Sequence, residues 1–468
     1  MDELVDKTGM SYPLRRFPGQ SYEDILESDV ISPPAFYREG PNPEVGVEPV
    51  ATSRYYDPEF FRQEVDYVWP RVWQWACREE DIPEIGDHVV FDIVGYSFII
   101  VRSAENEIKA LANSCLHRGR QLVECDGSMA AFRCPFHGMA WNVDGSLKEN
   151  PFEWDMPQWK DNALDLPEVR VEFWGGFVFI NMDAEAPPLD DVLGPIAEHF
   201  ERYDFENRYK AVHVSKKIRA NWKATSEAFM ETHHVYGTHP QAVVFTADIN
   251  GQYDIWNDYV GRQFSAHAIS SPHLGDRTPP VSEQEVFNAF FGIEGEPDAD
   301  MTVPDGMTAR AFTAQTLRRM LAADTGYDYS EFPDADFTDS LLYNVFPNLS
   351  FWGGMAQNVV YRFRPDGLDP EATIMDILIL KPVPKEGPRP APAEVHHLGF
   401  DEPVTNAADT MGLKLAEVFD QDAVNLKFVQ SGMRASRTGY IEFTAYQEAR
   451  IRLNHQMLDR MIAEGEAE

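Results

Sequence analysis

Four side chains that can bind metals stand in two short stretches of the sequence. One residue stands between Cys115 and His117, two stand between Cys134 and His137, and sixteen separate the two pairs. Thiolate and imidazole ligands suit both zinc and iron–sulfur clusters. A zinc finger more often supplies its cysteines and histidines as separate pairs, whereas here each stretch supplies one of each. This composition favours a two-iron cluster in which the cysteines hold one iron and the histidines the other.

A second set of candidate ligands follows in residues 221–240, which contain three histidines and two carboxylates. On a helix, Glu227, Glu231 and His234 would share one face, at spacings of four and three. His234 and His239 can supply the two imidazoles of a site in which a carboxylate completes one side of Fe(II). Such a site leaves other positions on the metal open. The segment therefore predicts a mononuclear iron centre.

The first two stretches resemble the loops of the Rieske iron–sulfur family, including the glycine that follows each histidine. They read Cys-Leu-His-Arg-Gly at 115–119 and Cys-Pro-Phe-His-Gly at 134–138. Where the family commonly has Trp directly after the second loop, this chain has Met139, and Trp141 follows two positions later. We expect this to change the packing round the cluster and not its ligation. The resemblance implies a Rieske-type [2Fe-2S] cluster held by Cys115, His117, Cys134 and His137.

Residues 221–240 resemble the catalytic segment of the Rieske oxygenases. That family has Asn-Trp-Lys, an acidic residue three positions before a first iron-binding histidine, and a second histidine five positions later. His234 and His239 match this spacing, and His233 stands where the family usually has Tyr. The resemblance implies mononuclear Fe(II) on His234 and His239. The pair His233 and His239 stays open as an alternative.

The third iron ligand is expected in a distant helix. The family has an Asp eight positions before a Gln, and Asp422 precedes Gln430 by that interval. Asp420 is the alternative, and a solvated carboxylate on the helix surface is the non-functional interpretation in so acidic a chain.

Glu231 stands where most of the family has an Asp that links an iron-bound histidine to a cluster histidine of a neighbouring subunit. The resemblance implies the same bridging role for Glu231, since a carboxylate can fix both rings and provide a short electron path. Members that oxidise N-methyl groups of quaternary ammonium compounds resemble this chain in having Glu. The residue therefore mildly favours dealkylation.

The elements that must position the first site read as β-strands. Residues 88–101 are rich in β-branched and aromatic side chains, with Gly95 where a hairpin would turn. The pattern closes at 169–181, where a Gly pair marks another turn. Helical spacing over 57–73 predicts a short helix ahead of this β region.

The second site requires a mixed domain. Helices are expected over 192–205, 222–234 and 410–429, and strands at 349–352, 358–364 and 372–380. Residues 292–306 and 382–403 read as surface loops of the kind that form active-site lids. The stretch 241–347 carries no recognisable motif and is predicted to line the substrate pocket. Pocket candidates are Val243, Val244, Phe245, Phe290, Phe291, Phe346, Phe351 and Trp352, each also explicable as plain core.

The resemblance covers most of the chain and implies an α+β fold. An all-β Rieske domain is inserted before a helix-grip catalytic domain, in which an antiparallel sheet wraps a long C-terminal helix. We predict an N-terminal segment at 1–54, the Rieske domain at 55–185 and the catalytic domain at 186–468.

Composition excludes several classes of protein. The 468 residues carry 40 Lys and Arg against 77 Asp and Glu, and a net charge of -37 would repel a phosphate backbone, so we expect no nucleic acid partner. We expect no membrane segment and no signal peptide, and hence a cytoplasmic protein. Four cysteines are too few for a disulfide scaffold, and Cys77 and Cys125, which match no ligand motif, are predicted to be buried thiols.

The family resemblance implies an oxygenase that activates O2 at the mononuclear iron and acts on a small organic substrate, aromatic or methyl-bearing. Electrons would come from NAD(P)H through a reductase, with or without a ferredoxin. A head-to-tail homotrimer, with or without a beta subunit, would place one subunit's cluster beside the next subunit's iron. The rival class is a non-catalytic Rieske electron carrier. Arg118, Arg120 and Arg133 are candidates for docking an acidic redox partner, and internal ion pairing is the alternative.

Overall fold

The computed structural model describes residues 3–5, 11–13, 16–159, 164–356 and 358–467. The chain divides into two compact units. The smaller unit contains Gln63–Asp191 together with Asp366–Leu368. The larger unit contains the chain up to Arg62, Val192–Pro365 and Asp369–Ala467.

The chain begins with short elements. They are β1 (Glu3–Val5), β2 (Ser11–Pro13), α1 (Tyr22–Leu26), β3 (Val50–Ala51) and α2 (Pro58–Tyr67). The helix predicted over 57–73 is therefore shorter, because a separate 3-10 turn at Trp69–Arg71 contains Pro70, which has no N–H for a helical hydrogen bond.

Strands are the main secondary structure of the smaller unit. Seven form one sheet in the order β4-β13-β12-β7-β6-β5-β8, and three form a second in the order β11-β10-β9. They are β4 (Gln74–Arg78), β5 (Asp87–Ile93), β6 (Tyr96–Ala104), β7 (Glu107–Ala112), β8 (Gly127–Ser128), β9 (Phe132–Arg133), β10 (Ala140–Trp141), β11 (Leu147–Glu149), β12 (Glu168–Trp174) and β13 (Phe177–Asn181). The all-β prediction is confirmed for this unit.

Turns in this unit lie where the glycines predicted them. Gly95, with φ +90°, joins β5 to β6, and Gly175 and Gly176 join β12 to β13. Because these positive φ angles are unfavourable for residues with a Cβ atom, glycine fixes the hairpin register.

The larger unit holds the remaining strands and helices. Its strands are β14 (Arg208–Ile218), β15 (Gln252–Ile255), β16 (Val260–Ser265), β17 (Ser340–Val345), β18 (Leu349–Trp352), β19 (Asn358–Asp366), β20 (Asp369–Pro382), β21 (His396–Leu398) and β22 (Tyr440–Ile441). Its helices, with α3 at the boundary, are α3 (Leu189–Leu193), α4 (Ile196–Phe200), α5 (Trp222–Glu227), α6 (Val235–Thr238), α7 (Glu283–Phe291), α8 (Ala309–Thr325), α9 (Ala335–Thr338), α10 (Ala408–Met411), α11 (Leu413–Ala435) and α12 (Ala449–Ala467).

An eight-stranded sheet in the order β15-β16-β17-β18-β19-β20-β14-β21 forms the centre of this unit. Helix α11 packs against it, since Phe419 and Leu426 share one buried cluster with Val214, Phe363 and Ile377 of the sheet. A long helix against a twisted sheet is the arrangement that the helix-grip prediction requires, and the predicted fold class is confirmed.

Several local predictions were wrong. The helix predicted over 222–234 ends at Glu227, and α6 starts at Val235 after a turn. The helix predicted over 192–205 is divided by Pro195, which separates α3 from α4. Cys125, predicted to be buried, is exposed, whereas Cys77 is buried as expected.

Candidate metal centres and substrate cavity

The two Cys/His loops of the smaller unit have matching backbone hydrogen bonds. In the first loop, Cys115 N–H donates to the carbonyl of Arg120 at 2.8 Å, and Gly119 N–H donates to the carbonyl of Cys115 at 2.8 Å. The second loop repeats this pattern, with Cys134 donating to Met139 at 2.8 Å and Gly138 donating to Cys134 at 3.0 Å. Both glycines have positive φ, +72° and +84°, which explains why each motif ends in Gly.

The matched turns bring the four predicted cluster residues together. Cys115 and Cys134 are buried in one core cluster, and the rings of His117 and His137 have centroids 4.7 Å apart. Burial raises the pKa of the Cys115 thiol, and the neighbouring Cys134 thiol raises it further. A thiolate at Cys115 would therefore need a bound cation to stabilise it. The buried Nδ1 of His117 has no hydrogen-bond partner. Two buried thiols and an unpartnered imidazole nitrogen fit a Rieske cluster.

The arginines beside the cluster loops, for which the sequence left partner docking and internal pairing open, have two kinds of contact. Arg120 pairs with Glu124, and Arg133 pairs with Glu149 at 2.5 Å, so two of the three candidate docking arginines pair internally. Arg118 lies over the exposed ring of Phe136. Trp141 is fully buried, and its Nε1 donates to the carbonyl of Leu164 at 2.7 Å.

In the larger unit, Asn221 and Gln430 fix two helices that carry iron-site residues. The Asn221 side chain accepts from Lys223 N–H at 2.9 Å and caps α5. The Asn221 N–H donates at 2.9 Å to the side-chain oxygen of Gln430 in α11. The Asn-Trp-Lys motif and the Asp-to-Gln interval are therefore parts of one buried contact, eight residues from Asp422.

His234, His239 and Asp422 converge on one point. Their candidate ligand atoms all lie within 4.8 Å of one another. The Nε2 atoms of His234 and His239 lie 4.0 Å and 3.1 Å from Asp422 Oδ1. Two imidazoles and one carboxylate on one side of a cavity fit the facial set for Fe(II).

The other ring nitrogen of each histidine is held by a different side chain. His234 Nδ1 lies 2.8 Å from Glu231 Oε1, and His239 Nδ1 lies 2.7 Å from Gln421 Oε1. Because both oxygens are acceptors, each ring carries its proton on Nδ1 and presents Nε2 to the metal position.

Glu231 is a buried carboxylate surrounded by histidine donors. Its Oε2 accepts from the backbone N–H of His234 at 2.9 Å and lies 3.0 Å from His233 Nδ1. Burial alone would raise the pKa of Glu231, but the neighbouring imidazoles of His233 and His234 lower it below its ordinary value. The carboxylate is therefore ionised next to the iron site.

Two alternatives from the sequence lie outside the convergent set. His233 faces Glu231 and is absent from the group around Asp422. Asp420 accepts from the N–H groups of Val404 at 2.5 Å and Thr405 at 3.1 Å, so it caps a neighbouring 3-10 turn.

A cavity of about 660 Å³ opens onto His234, His239 and Asp422. Of the predicted pocket residues, Phe245, Phe290 and Trp352 line it, whereas Val243, Val244, Phe291, Phe346 and Phe351 do not. Further lining residues were not singled out from the sequence, because neither a motif nor an apolar run shows which side chains of a segment face a cavity. These include Phe229, Thr246, Gln263, His267, Ser340, Tyr361 and Phe419.

Comparison with known proteins identifies both units. The profile described as "Rieske [2Fe-2S] domain" matches residues 72–160, and the profile "Ring hydroxylating alpha subunit (catalytic domain)" matches residues 200–464. These matches define a Rieske non-haem iron protein with a [2Fe-2S] cluster and a mononuclear iron. The chain belongs to the ring-hydroxylating alpha-subunit family.

Curated relatives cover part of the chain. The glycine betaine monooxygenase oxygenase subunit of Pseudomonas aeruginosa is 30% identical over 192 residues, 40% of this chain and 44% of that protein. The large oxygenase component of the naphthalene 1,2-dioxygenase system of Pseudomonas putida is 34% identical over 195 residues, 40% and 43% of the two chains. The match thus spans less than half the length of these relatives.

Solved structures share the fold over most of the chain. A quaternary ammonium Rieske monooxygenase superposes with a TM-score of 0.63 at 16% identity, covering 91% of this chain and 100% of the other. Naphthalene 1,2-dioxygenase with phenanthrene bound superposes with a TM-score of 0.61 at 20% identity, covering 91% of this chain and 95% of the other.

Within the described part of the chain, none of the helices is long and apolar enough to cross a membrane.

Proposed function

We propose that this chain is the terminal oxygenase component of a Rieske oxygenase system. The observation that supports this best is the convergence of His234, His239 and Asp422 on a cavity with their outer contacts already in place. When bound, the mononuclear iron supplies the reductive chemistry of dioxygen, and the cluster supplies electrons. A site with one face protected by protein and the other open to a cavity admits O2 and an organic molecule together.

The protein's own residues would orient and enclose the reactants. Glu231 and Gln421 hold the two imidazoles, so the ligand set is organised before substrate arrives. Aromatic side chains form much of the cavity wall and leave room for a small ring or a methyl-bearing molecule.

Glu231 is proposed to bridge the electron path between the cluster of one subunit and the iron of the next. Its bond to His234 supports this role, as does the exposure of nearby apolar side chains that a neighbouring copy would cover. On α6 and α11, Tyr236, Val424 and Phe428 are 57%, 58% and 65% exposed, and beside the cluster loops Phe136 is 55% exposed. A head-to-tail homotrimer would pair these two surfaces.

Partners and substrate follow from the relatives only as proposals. An NAD(P)H-dependent reductase, directly or through a ferredoxin, would reduce the cluster, and a beta subunit, as well as a cytoplasmic location, stays a prediction. Related proteins are named for glycine betaine, naphthalene and anthranilate, so aromatic and methylammonium compounds are both candidate substrate classes.

The competing proposal, a non-catalytic Rieske electron carrier, has no use for a second metal site or for a cavity of this size. Reductase-coupled NADH and O2 consumption, measured with aromatic compounds, methyl ethers and methylammonium compounds, separates the two. The oxygenase predicts substrate-dependent consumption that Asp422→Ala abolishes. Reduction of the cluster with no substrate-dependent O2 uptake in any series would support the carrier.

A further inference from the structure

The cavity has one wall of polar side chains. Gln263 and His267 are four residues apart along β16 and its extension, so strand alternation places both on one face. An isolated bridge pairs His267 with Thr246, and the β16–β17 ladder places Ser340 opposite Ser265. Thr246, His267 and Ser340 therefore lie side by side and line the same cavity.

The polar groups of this wall are available to a ligand. Within the described residues, neither ring nitrogen of His267 has a hydrogen-bond partner, nor do the hydroxyls of Thr246 and Ser340. Gln263 is different, since its side-chain oxygen accepts from Arg450 at 2.9 Å. A cavity wall with three free hydrogen-bonding groups costs free energy unless water or a ligand satisfies them.

Backbone hydrogen bonds fix the position of His267. Its backbone N–H donates to Asp339 Oδ1 at 3.2 Å, and its backbone carbonyl accepts from the Arg310 guanidinium at 3.3 Å. Ala268, the next residue, has φ +55°, an unfavourable angle for a residue with a Cβ atom. Burial, assisted by the Arg310 cation and opposed by Asp339, lowers the pKa of His267 to about 4. The imidazole is thus neutral near pH 7, with one donor and one acceptor.

The remainder of the cavity is mainly apolar, and among the described residues Lys414 is the cationic side chain that lines it. The carboxylates of Glu231 and Asp422 face histidines, while Lys414 and Glu417 are exposed. The rings that line the cavity are Phe229, Phe245, Phe290, Trp352, Tyr361 and Phe419. An anionic substituent would find no cationic side chain in the described part of this interior, whereas an uncharged polar one would be satisfied by the polar wall.

We propose that Thr246, His267 and Ser340 form a recognition wall that binds an uncharged oxygen substituent, a hydroxyl, carbonyl or ether, of an aromatic substrate. This inference rests on the proposed oxygenase function and narrows it to one substrate class. The wall holds the polar end of the molecule while the aromatic side chains hold the ring.

Calorimetric titration of the oxidised holoenzyme tests the proposal without turnover. The probes are benzyl alcohol and anisole against toluene, with benzoate and glycine betaine as the charged members. The wild type should bind the two oxygenated neutral probes roughly tenfold more tightly than toluene. His267→Phe should abolish this preference while toluene binding is kept, and His267→Gln should restore part of it.

Matched variants keep the test decisive. His273→Phe, in the same segment and outside the cavity lining, should behave as wild type. Ser340→Ala and Thr246→Val should each weaken the preference for the oxygenated probes. Circular dichroism and cluster absorption show whether each variant is folded, and these two variants test the proposal if His267→Phe is not. An unchanged preference in these variants, tighter binding of benzoate or glycine betaine, or no binding of any probe would overturn the proposal. Loss of substrate-dependent O2 uptake with every compound would instead overturn the oxygenase function.

Discussion

Each imidazole of the convergent site has its outer nitrogen bound by a different kind of side chain. Glu231 is an ionised carboxylate, and Gln421 is a neutral amide. A carboxylate partner makes an imidazole a stronger donor to a metal than an amide does. The two histidines should therefore contribute unequally to iron affinity.

Gln421→Leu removes the acceptor of His239 Nδ1 and frees that ring to rotate. We expect mononuclear iron affinity to fall by about 10- to 100-fold, the usual effect of losing such a partner. Competition with a chelator, followed by metal analysis, measures this. Asn425→Ala, one helical turn further on, is the matched control, since Asn425 contacts Thr238 and none of the ligands. Equal iron retention in Gln421→Leu and wild type would contradict the positioning role.

Glu231→Gln tests the bridge. The substitution removes the charge but leaves an amide acceptor for His234, as Gln421 is for His239, so iron content in excess iron and chemical reduction of the cluster should stay unchanged. The amount of product formed per reduced cluster in a single turnover should fall sharply. A neutral amide cannot accept from both His234 and the cluster histidine of the neighbouring subunit as the carboxylate does. Glu227→Gln is the control, since Glu227 binds Tyr55 and His455 instead. Full turnover in Glu231→Gln would exclude the bridge, and loss of mononuclear iron even in excess iron would indicate that Glu231 is a ligand.

At this scale, the sequence predicted the residues that carry spaced motifs. The pairs Cys115/His117 and Cys134/His137 are local, and the five-residue interval from His234 to His239 is set by one turn and α6. Gln421 and His267 were missed because their contacts join segments remote in sequence. The hydrogen bond between His239 and Gln421, for example, joins residues 182 positions apart, and residue spacing within one segment cannot predict such a contact.

At the scale of elements, the iron site depends on the packing of α5 against α11. Gln430 accepts from Asn221 N–H, and its amide group donates to the carbonyl of Tyr55 at 3.0 Å. One side chain thus joins three segments. The strand β14 and the helix α12 were not predicted, because their polar and charged residues obscure the alternation and periodicity that mark strands and helices.

Gln430→Leu should destabilise this junction. The buried N–H of Asn221 would lose its acceptor, at a cost of about 1–3 kcal/mol. Chemical denaturation, monitored by fluorescence and by loss of mononuclear iron, measures the change. Ser431→Ala, at the exposed neighbouring position, should have little effect. A stability equal to wild type in Gln430→Leu would show that the junction does not fix the helices.

At the scale of the whole molecule, the exposed Val424 and Phe428 in the C-terminal half of α11 predict contact with another copy. Phe428→Asp places a charge in that surface, so the proposed trimer should dissociate while cluster and mononuclear iron are kept. Light scattering after size-exclusion chromatography gives the mass. Leu413→Asp, on an exposed position at the other end of the helix, is the control. A Phe428→Asp protein that stays trimeric and active would exclude this surface as the interface.

Iron content is the most direct measurement of the central claim, that one chain carries a Rieske cluster and a separate iron on His234, His239 and Asp422. Wild-type protein should contain about three irons per chain, two in the cluster and one mononuclear. Asp422→Ala should contain about two, with the electron paramagnetic resonance signal of the reduced Rieske cluster intact and no product in a single turnover, while Asp420→Ala keeps all three. A third iron retained in Asp422→Ala, or lost in Asp420→Ala alone, would contradict the assignment.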